Sequence, residues 1–221
     1  VDTYLRKRKE EILMIANGYS PFIHERVRKY QEAGLLVDIV EYQEGRSISK
    51  VKEIDGIELL ETEKSGLLHL LRSKHYQKIL VHFVSPNIGT ILYMAGNEDI
   101  PLVIWCHGYE VLPWYRTWFI YTDDELKKEL PLLTKNDRDK KEFFKDWFKR
   151  PNISWVFVSN WECGRVKKWI GFLPKDYYVI PNYIDDAYYQ ISMPDKEAVT
   201  NIISKPSVIE RRLINFFFYY Y

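Results

Sequence analysis

Short apolar runs alternate along the chain with stretches in which apolar positions recur every three or four residues. Residues 11–16 (EILMIA) form a buried strand by this pattern, broken by Asn17-Gly18-Tyr19-Ser20-Pro21. Phe22, Ile23, Val27, Tyr30 and Ala33 then follow helical spacing, with Gly34 placed to cap the end, and residues 35–40 make a second strand. Strand, loop, helix and strand in this order are a βαβ unit. The alternation continues with a short strand at 57–60, a helix at 64–73, a strand at 78–83, a helix at 87–96 and a strand at 102–106. After a long interruption come a strand at 155–158, a helix at 162–170 and a strand at 177–180. The pattern predicts an α/β fold: a Rossmann-like parallel sheet with helices on both faces.

Two segments break the alternation. Residues 112–150 are aromatic and charged and read as helices inserted over the sheet edge. Residues 186–221 read as a linker ending in RRLINFFFYYY, a β-prone run with no charge after Arg212. A strand of that kind needs a sheet to sit in, and the expectation is that it is the first strand of a C-terminal domain absent from this chain.

Composition narrows the function classes. The formal net charge is +1, so nothing draws the whole chain toward nucleic acid, and an electrostatic partner must answer to a local patch. Two cysteines, Cys106 and Cys163, make neither a disulfide framework nor a metal-ligand spacing, which favours a reducing compartment. No apolar run approaches the roughly 18 residues of a membrane span, and the N-terminal residues lack a signal-peptide core. The expected location is cytoplasmic, free or peripheral on the inner face of a membrane.

In an open parallel sheet, ligands bind beyond the carboxyl ends of the strands. Those positions hold Asn17-Gly18-Tyr19, His82-Phe83-Val84-Ser85, His107-Gly108-Tyr109-Glu110, Ser159-Asn160-Trp161 and Pro181-Asn182-Tyr183. Several chemistries are missing from them. There is no phosphate-binding Gly-x4-Gly-Lys-Ser/Thr, no Gly-x-Gly-x-x-Gly after the first strand, no Gly-x-Ser-x-Gly elbow, and no histidine spacing for a metal.

The order of the motifs resembles the opening half of a GT-B glycosyltransferase, in particular the large retaining family four of nucleotide-sugar-dependent enzymes. WCHGYE (105–110) is similar to that family's His-Gly strand end. VFVSNWECGRVKKWIGFLPKDYYVIPNYID (156–185) is similar to its segment running from Val-Ser-Asn to Ile-Pro-Asn. The resemblance covers about residues 11–186. It departs from the family in having one glycine, Gly18, after the first strand, in Tyr183 where glycine is usual, and in the unmatched segment 112–150. It implies one half of a GT-B architecture, the acceptor side of a hexosyltransferase that makes a surface polysaccharide or glycolipid. The donor, a nucleotide sugar, would be held mainly by a second domain or partner chain. No metal or other cofactor is implied. The acceptor would be a sugar or a lipid-linked sugar.

The resemblance gives His107 a catalytic role, contact with the transferred sugar's hydroxyls; the plain alternative is a histidine that ends a core strand. The substrate-binding candidates are Asn17, Gly18, Tyr19, Gly108, Glu110, Ser159 and Asn160. Against each stands a structural role: a βα turn for Asn17, Gly18 and Tyr19, and a helix cap for Glu110, Ser159 and Asn160. Phe143, Phe144, Trp147 and Phe148 share one helical face, and Lys141, Lys145 and Lys149 another. That face would lie on an anionic membrane or pack on the sheet, packing being the plainer reading. The rival to an enzyme is a binding module that docks on a membrane through these residues, Phe143, Phe144, Lys145, Trp147, Phe148 and Lys149, and recruits a separate catalytic chain.

Overall fold

The structure is a computed structural model that describes residues 1–5, 11–46, 49–96 and 99–182. The elements in chain order are α1 (Asp2–Leu5), β1 (Ile12–Asn17), α2 (Pro21–Glu32), β2 (Val37–Tyr42), β3 (Ser49–Ile54), β4 (Ile57–Thr62), α3 (Lys64–Ser73), β5 (Lys78–His82), α4 (Pro86–Met94) and β6 (Leu102–Cys106). A 3-10 segment (Trp114–Ile120), α5 (Asp123–Trp147), β7 (Ile153–Phe157), α6 (Asn160–Ile170) and β8 (Tyr177–Val179) follow. The strands form one eight-stranded sheet in the order β3-β4-β2-β1-β5-β6-β7-β8. All neighbours are parallel except β3 and β4.

Helices cover both faces, as the alternation predicts. On one face α2 packs Ile23 and Val27 against Met14, Ala16, Ile39, Leu59, Leu80 and Val156. On the other, α3, α4, α6 and the end of α5 pack against Leu13, Ile15, Val81, Ile104, Trp155 and Phe157. The split follows from right-handed crossovers. The chain steps one way from β1 to β2 and the opposite way from β4 to β5 onward, so the connecting helices land on opposite faces. The local signals agree with this. Pro21 and Pro86 open α2 and α4, Ser85 Oγ accepts from Ile88 N at 3.3 Å, and Gly171 ends α6 with φ +108°.

The antiparallel edge strand β3 is a departure from the predicted parallel sheet. Its sequence, SKVKEI, has no continuous apolar run, and it is mostly exposed. The turn into β4 is Asp55-Gly56, with φ +48° and +78°, a hairpin signal that the apolar pattern does not contain. Lys52 pairs with the buried Glu61 and, at 3.3 Å, with Glu41. The edge strand therefore neutralises carboxylates that β2 and β4 carry inward, and its charges discourage pairing with another sheet.

The segment 112–150 is not one insertion. Among the described residues, Val1–Leu112 and residues 139–182 belong to one compact unit, and Pro113–Arg138 to another. The last part of α5 is the crossover helix between β6 and β7. This corrects the membrane-facing assignment. Phe144, Trp147 and Phe148 are 0%, 5% and 3% exposed, and Phe144 (tilted) and Phe148 (edge-on) pack against Trp155 at 5.7 and 4.6 Å between ring centroids. Phe143 is half-buried and packs with them. These rings are core. Lys149 is exposed and Lys145 pairs with Glu142 at 2.9 Å, an ordinary solvated rim. The tail 186–221, with Tyr183 and Asp185, lies outside the described residues.

α4 can approach this aromatic cluster because position 89 is glycine. A Cβ there would sit 2.8 Å from Trp147 Cζ2 and closer still to Phe143 Cε2. Gly89→Ala is expected to destabilise the fold by about 1–3 kcal/mol through overpacking, read from the midpoint of urea unfolding.

Candidate functional site

Strand β1 lies between β2 and β5, and the helices that follow β1 and β5 leave toward opposite faces. A crevice opens at their carboxyl ends, the usual ligand position of such a sheet. Three tips meet there. Gly18 after β1 has φ +90°, and nothing lies within 4 Å of where its Cβ would be, so the tip is open in front of it. Phe83 after β5 holds φ +56°, a left-handed conformation costly for an aromatic residue. Gly108 after β6 has φ +111°, which lets the chain turn directly behind His107.

His107 is the centre of this arrangement. Its Nε2 is 3.0 Å from Nδ1 of His82, and the two rings stack with centroids 5.3 Å apart. Phe83 and Phe22 hold the other side, at 4.4 and 4.9 Å. His82 in turn stacks on Trp105 at 5.0 Å, and the Arg26 guanidinium sits 4.9 Å from the Trp105 ring. Burial, then neighbouring His107 and Arg26, hold His82 well below the usual imidazole range. Burial and Arg26 push His107 down to about 4, partly opposed by the Asn182 side chain. Both rings are therefore neutral at pH 7. Nδ1 of His107 and Oδ1 of Asn182 are buried and have no partner at hydrogen-bond geometry. A neutral imidazole held by Nε2 offers its free Nδ1 as donor or acceptor, according to which ring supplies the shared proton.

The loop behind His107 is fixed from the opposite side of the sheet. Glu110 is 8% exposed, and its Oε1 accepts from His107 N. Val111 N and Leu112 N close on Gly108 O at 3.2 and 2.8 Å, and Lys140 Nζ donates to Leu112 O at 2.6 Å. At the neighbouring tip, Ser159 Oγ accepts from Glu162 N at 3.1 Å and Glu162 Oε2 accepts from Val158 N at 2.8 Å, a capping box turned slightly outward. Burial raises Glu110 to about 7 and Glu162 to about 8.

The sequence-predicted residues thus divide. Gly18, Gly108 and His107 come together at the crevice. Tyr19 lies beside them, with its hydroxyl 3.2 Å from His24 Nδ1 and its amide 3.3 Å from Glu41 Oε1. Asn17 ends β1 half-buried. Glu110 points inward as a loop anchor and does not reach the crevice. Ser159 is the cap of α6, and Asn160 is the exposed first residue of that helix. Arg26, Phe22 and Glu162 were not singled out. Arg26 and Phe22 fall inside an ordinary amphipathic helix, and only the Ser159-x-x-Glu162 spacing carried a signal. A separate cleft of about 510 Å³ lies at the tips of β2 and β4, with Tyr42, Glu44, Glu63, Lys64 and Asn87 in its walls; His107 is not part of it. Among the described residues no group of three or more side chains is arranged to hold a metal, and no helix is long and apolar enough to cross a membrane.

The sheet order and the tip cluster define an α/β protein of Rossmann-like class with its candidate site at the topological switch point. No family model matches the chain, and no curated protein matches it. Among solved structures it is similar to an aspartate semialdehyde dehydrogenase II complexed with ASA from Vibrio cholerae, at 9% identity and a TM-score of 0.35, over 73% of this chain and 45% of that one. The chain spans less than half the length of that dehydrogenase, and a likeness of this size carries no argument about function.

The buried histidines make a prediction for acid stability. Unfolded, each titrates near 6.5; folded, each resists protonation, so the unfolded chain binds more protons between about 4 and 6.5 and stability falls as pH drops through that window. Replacing His82→Gln is expected to flatten that fall, narrowing the difference in Tm between pH 6.5 and 4 by roughly 2–4 °C for each kcal/mol recovered. Thermal melts across the range check it.

Proposed function

We propose that the chain is the acceptor-side half of a nucleotide-sugar-dependent glycosyltransferase, a retaining hexosyltransferase of GT-B arrangement acting in surface polysaccharide or glycolipid synthesis. The observation that carries the reading is His107: a neutral imidazole at the tip of a central strand, clamped on three sides, with Nδ1 unpartnered beside Asn182. Such a group suits a hydrogen bond to a sugar hydroxyl. It does not suit proton transfer, because it stays neutral well below pH 7. The neighbouring Asn182 belongs to the Ile-Pro-Asn segment on which the family resemblance leans most.

In this reading His107 fixes the orientation of the transferred hexose at the crevice, and the open space before Gly18 admits the reacting groups. The polar cleft at the tips of β2 and β4 offers carboxylates, an amide and a lysine to the hydroxyls of a sugar or lipid-linked acceptor. Stabilisation of the leaving nucleoside diphosphate, the main electrostatic task of the reaction, falls to a second domain or partner chain. No metal or organic cofactor is needed. The rival membrane-docking module loses its support, because the aromatic face on which it depended is buried in the core.

The test is transfer of labelled hexose from nucleoside diphosphate donors to a membrane lipid extract by the full-length gene product. His107→Ala is expected to lower transfer by roughly 100-fold or more while leaving the unfolding midpoint within the range of ordinary substitutions. Wild-type turnover in that variant overturns the role of His107. Absence of transfer from every donor by the wild-type protein overturns the reading as a whole.

A further inference from the structure

The two histidines of the crevice share one hydrogen bond, His82 Nδ1 to His107 Nε2 at 3.0 Å, and both rings are neutral at pH 7. Each neutral ring carries one N–H, and the shared bond needs one nitrogen with a proton and one without. The outer nitrogens are then forced into opposite roles. If His82 supplies the shared proton, His82 Nε2 is bare and His107 Nδ1 carries a proton. If His107 supplies it, His82 Nε2 carries a proton and His107 Nδ1 is bare. Both outer nitrogens are buried and have no hydrogen-bond partner among the described residues, so their surroundings choose between the two states.

Those surroundings differ at the two ends. His82 is wholly buried and stacks on Trp105, with 5.0 Å between centroids and 16° between planes. The Arg26 guanidinium lies 4.9 Å from the centre of the same indole ring, and Tyr30, one turn further along α2, takes a hydrogen bond from it. Trp105 Nε1 and Arg26 Nε are buried donors without partners. The groups that meet at this indole can give an N–H to a bare nitrogen and cannot accept one. The charge of Arg26, which reaches both imidazoles, also disfavours an outward N–H on His82. At the other end stands an acceptor. Asn182 Oδ1 is buried and unpartnered, and the Asn182 side chain favours a proton on His107. Donors at one end and an acceptor at the other select the same state of the pair.

We propose that Arg26 and His82 are positioning residues that fix the tautomer of His107: His82 donates through Nδ1–H, and His107 holds its own proton on Nδ1, at the crevice beside Asn182 Oδ1. The crevice then presents a donor and an acceptor together. A ligand hydroxyl answers both, because its oxygen accepts from His107 and its hydrogen goes to Asn182. A carbonyl, ether or phosphate oxygen answers only His107 and sets its lone pairs against Asn182 Oδ1. The hydroxyl deepens the transferase reading and rests on it, whereas the tautomer depends only on residues of this chain. A free neutral histidine favours the other form, with its proton on Nε2. Two adjoining rings that both carry the proton on Nδ1 are therefore the mark of this environment and not of intrinsic preference.

The experiment is a long-range ¹H–¹⁵N correlation spectrum of the histidine rings in the ¹⁵N-labelled chain at pH 7, which needs no ligand and separates a protonated ring nitrogen from a bare one. In the wild-type protein, His82 and His107 are both expected to show a protonated Nδ1 and a bare Nε2. A bare Nδ1 on His107 overturns the proposal. Arg26→Met removes the charge and is expected to move the tautomer ratio of both rings toward Nε2–H together, by on the order of tenfold. Arg26→Lys keeps the charge and is expected to hold the wild-type pattern. A ratio unmoved in Arg26→Met, or moved equally in Arg26→Lys, overturns the role of Arg26, and a change confined to one ring overturns the coupling. Should the Arg26 variants not fold, the wild-type spectrum decides: both rings protonated at Nδ1 support the proposal, and any other pattern overturns it. Absence of hexose transfer would overturn the transferase reading and leave this one standing; a bare Nδ1 on His107 would do the reverse.

Discussion

Everything at the site depends on the reversal of chain progression at β1. Four consecutive residues of that strand, Leu13 to Ala16, are wholly buried, because it has a strand on each side and helices on both faces. The chain reaches β2 on one side of it and returns past it to β5 on the other. The helices leaving β1 and β5 must then diverge, and their divergence opens the crevice. His82, Phe83 and His107 meet there because β5 and β6 are parallel neighbours in a register that pairs His82 with Trp105. Two residues further along β6 the chain has left the strand, and the imidazole of His107 folds back over His82. A register shift of one residue would turn both histidines to the opposite face.

Around this crevice the fold keeps four ionisable groups neutral or nearly so, and they act in opposite senses on stability. The two histidines oppose protonation, and their contribution is lost as pH falls from about 6.5 toward 4. The two glutamates oppose ionisation. Their folded forms bind more protons than the unfolded chain between about 4.5 and 7 to 8, so their contribution is lost as pH rises through that range. One pair lies on the α2 side of the sheet and the other on the α6 side, with the backbone of His107 between them. Burial is the first cause in all four cases. Rings supply that burial on the histidine side: Phe22, Phe83 and Trp105.

Much of the fold was legible because its central strands are buried on both faces and so read as unbroken apolar runs. Residues 78–83 and 102–106 were placed almost to the residue for that reason. β3 was not legible in the same way, since SKVKEI gains its place from pairing with β4 and from two buried carboxylates that lie elsewhere in the sequence. The signal it did carry was local, the Asp55-Gly56 turn. The aromatic stretch 143–148 shows the limit of periodicity: spacing says that four rings share a face, but not whether that face meets lipid or Trp155. At the site, strand-tip position was enough to single out His107 and Gly108. The pairing of His82 with His107 needed the register, and the inward turn of Glu110 needed the loop conformation, neither of which is a property of neighbouring residues. A glutamate three residues past a strand end reads equally well as a ligand or an anchor until the backbone amide it accepts is known.

The segment 113–138 sharpens what the sheet requires. A βαβ unit between β6 and β7 needs only a crossover helix, and the last turns of α5 supply it. The additional residues enter directly after the loop that carries His107 and return just before Lys140. Both ends of that excursion are closed. Lys140 Nζ binds Leu112 O at 2.6 Å on the sheet side, and within the excursion Trp114 N donates to both oxygens of Asp137, at 2.9 and 3.1 Å. Entry and exit are thus tied on either side of the boundary, and the crossover helix is seated on β7 by Phe144 and Phe148 whatever lies between. An insertion closed in this way can vary in length and chemistry at small cost to the core, because its loop entropy is set by the tied ends and grows only slowly with added residues. The invariant demand falls on the five residues before it, His107 to Val111, where the backbone must turn at Gly108, accept the anchor of Glu110 and still deliver an imidazole to the crevice.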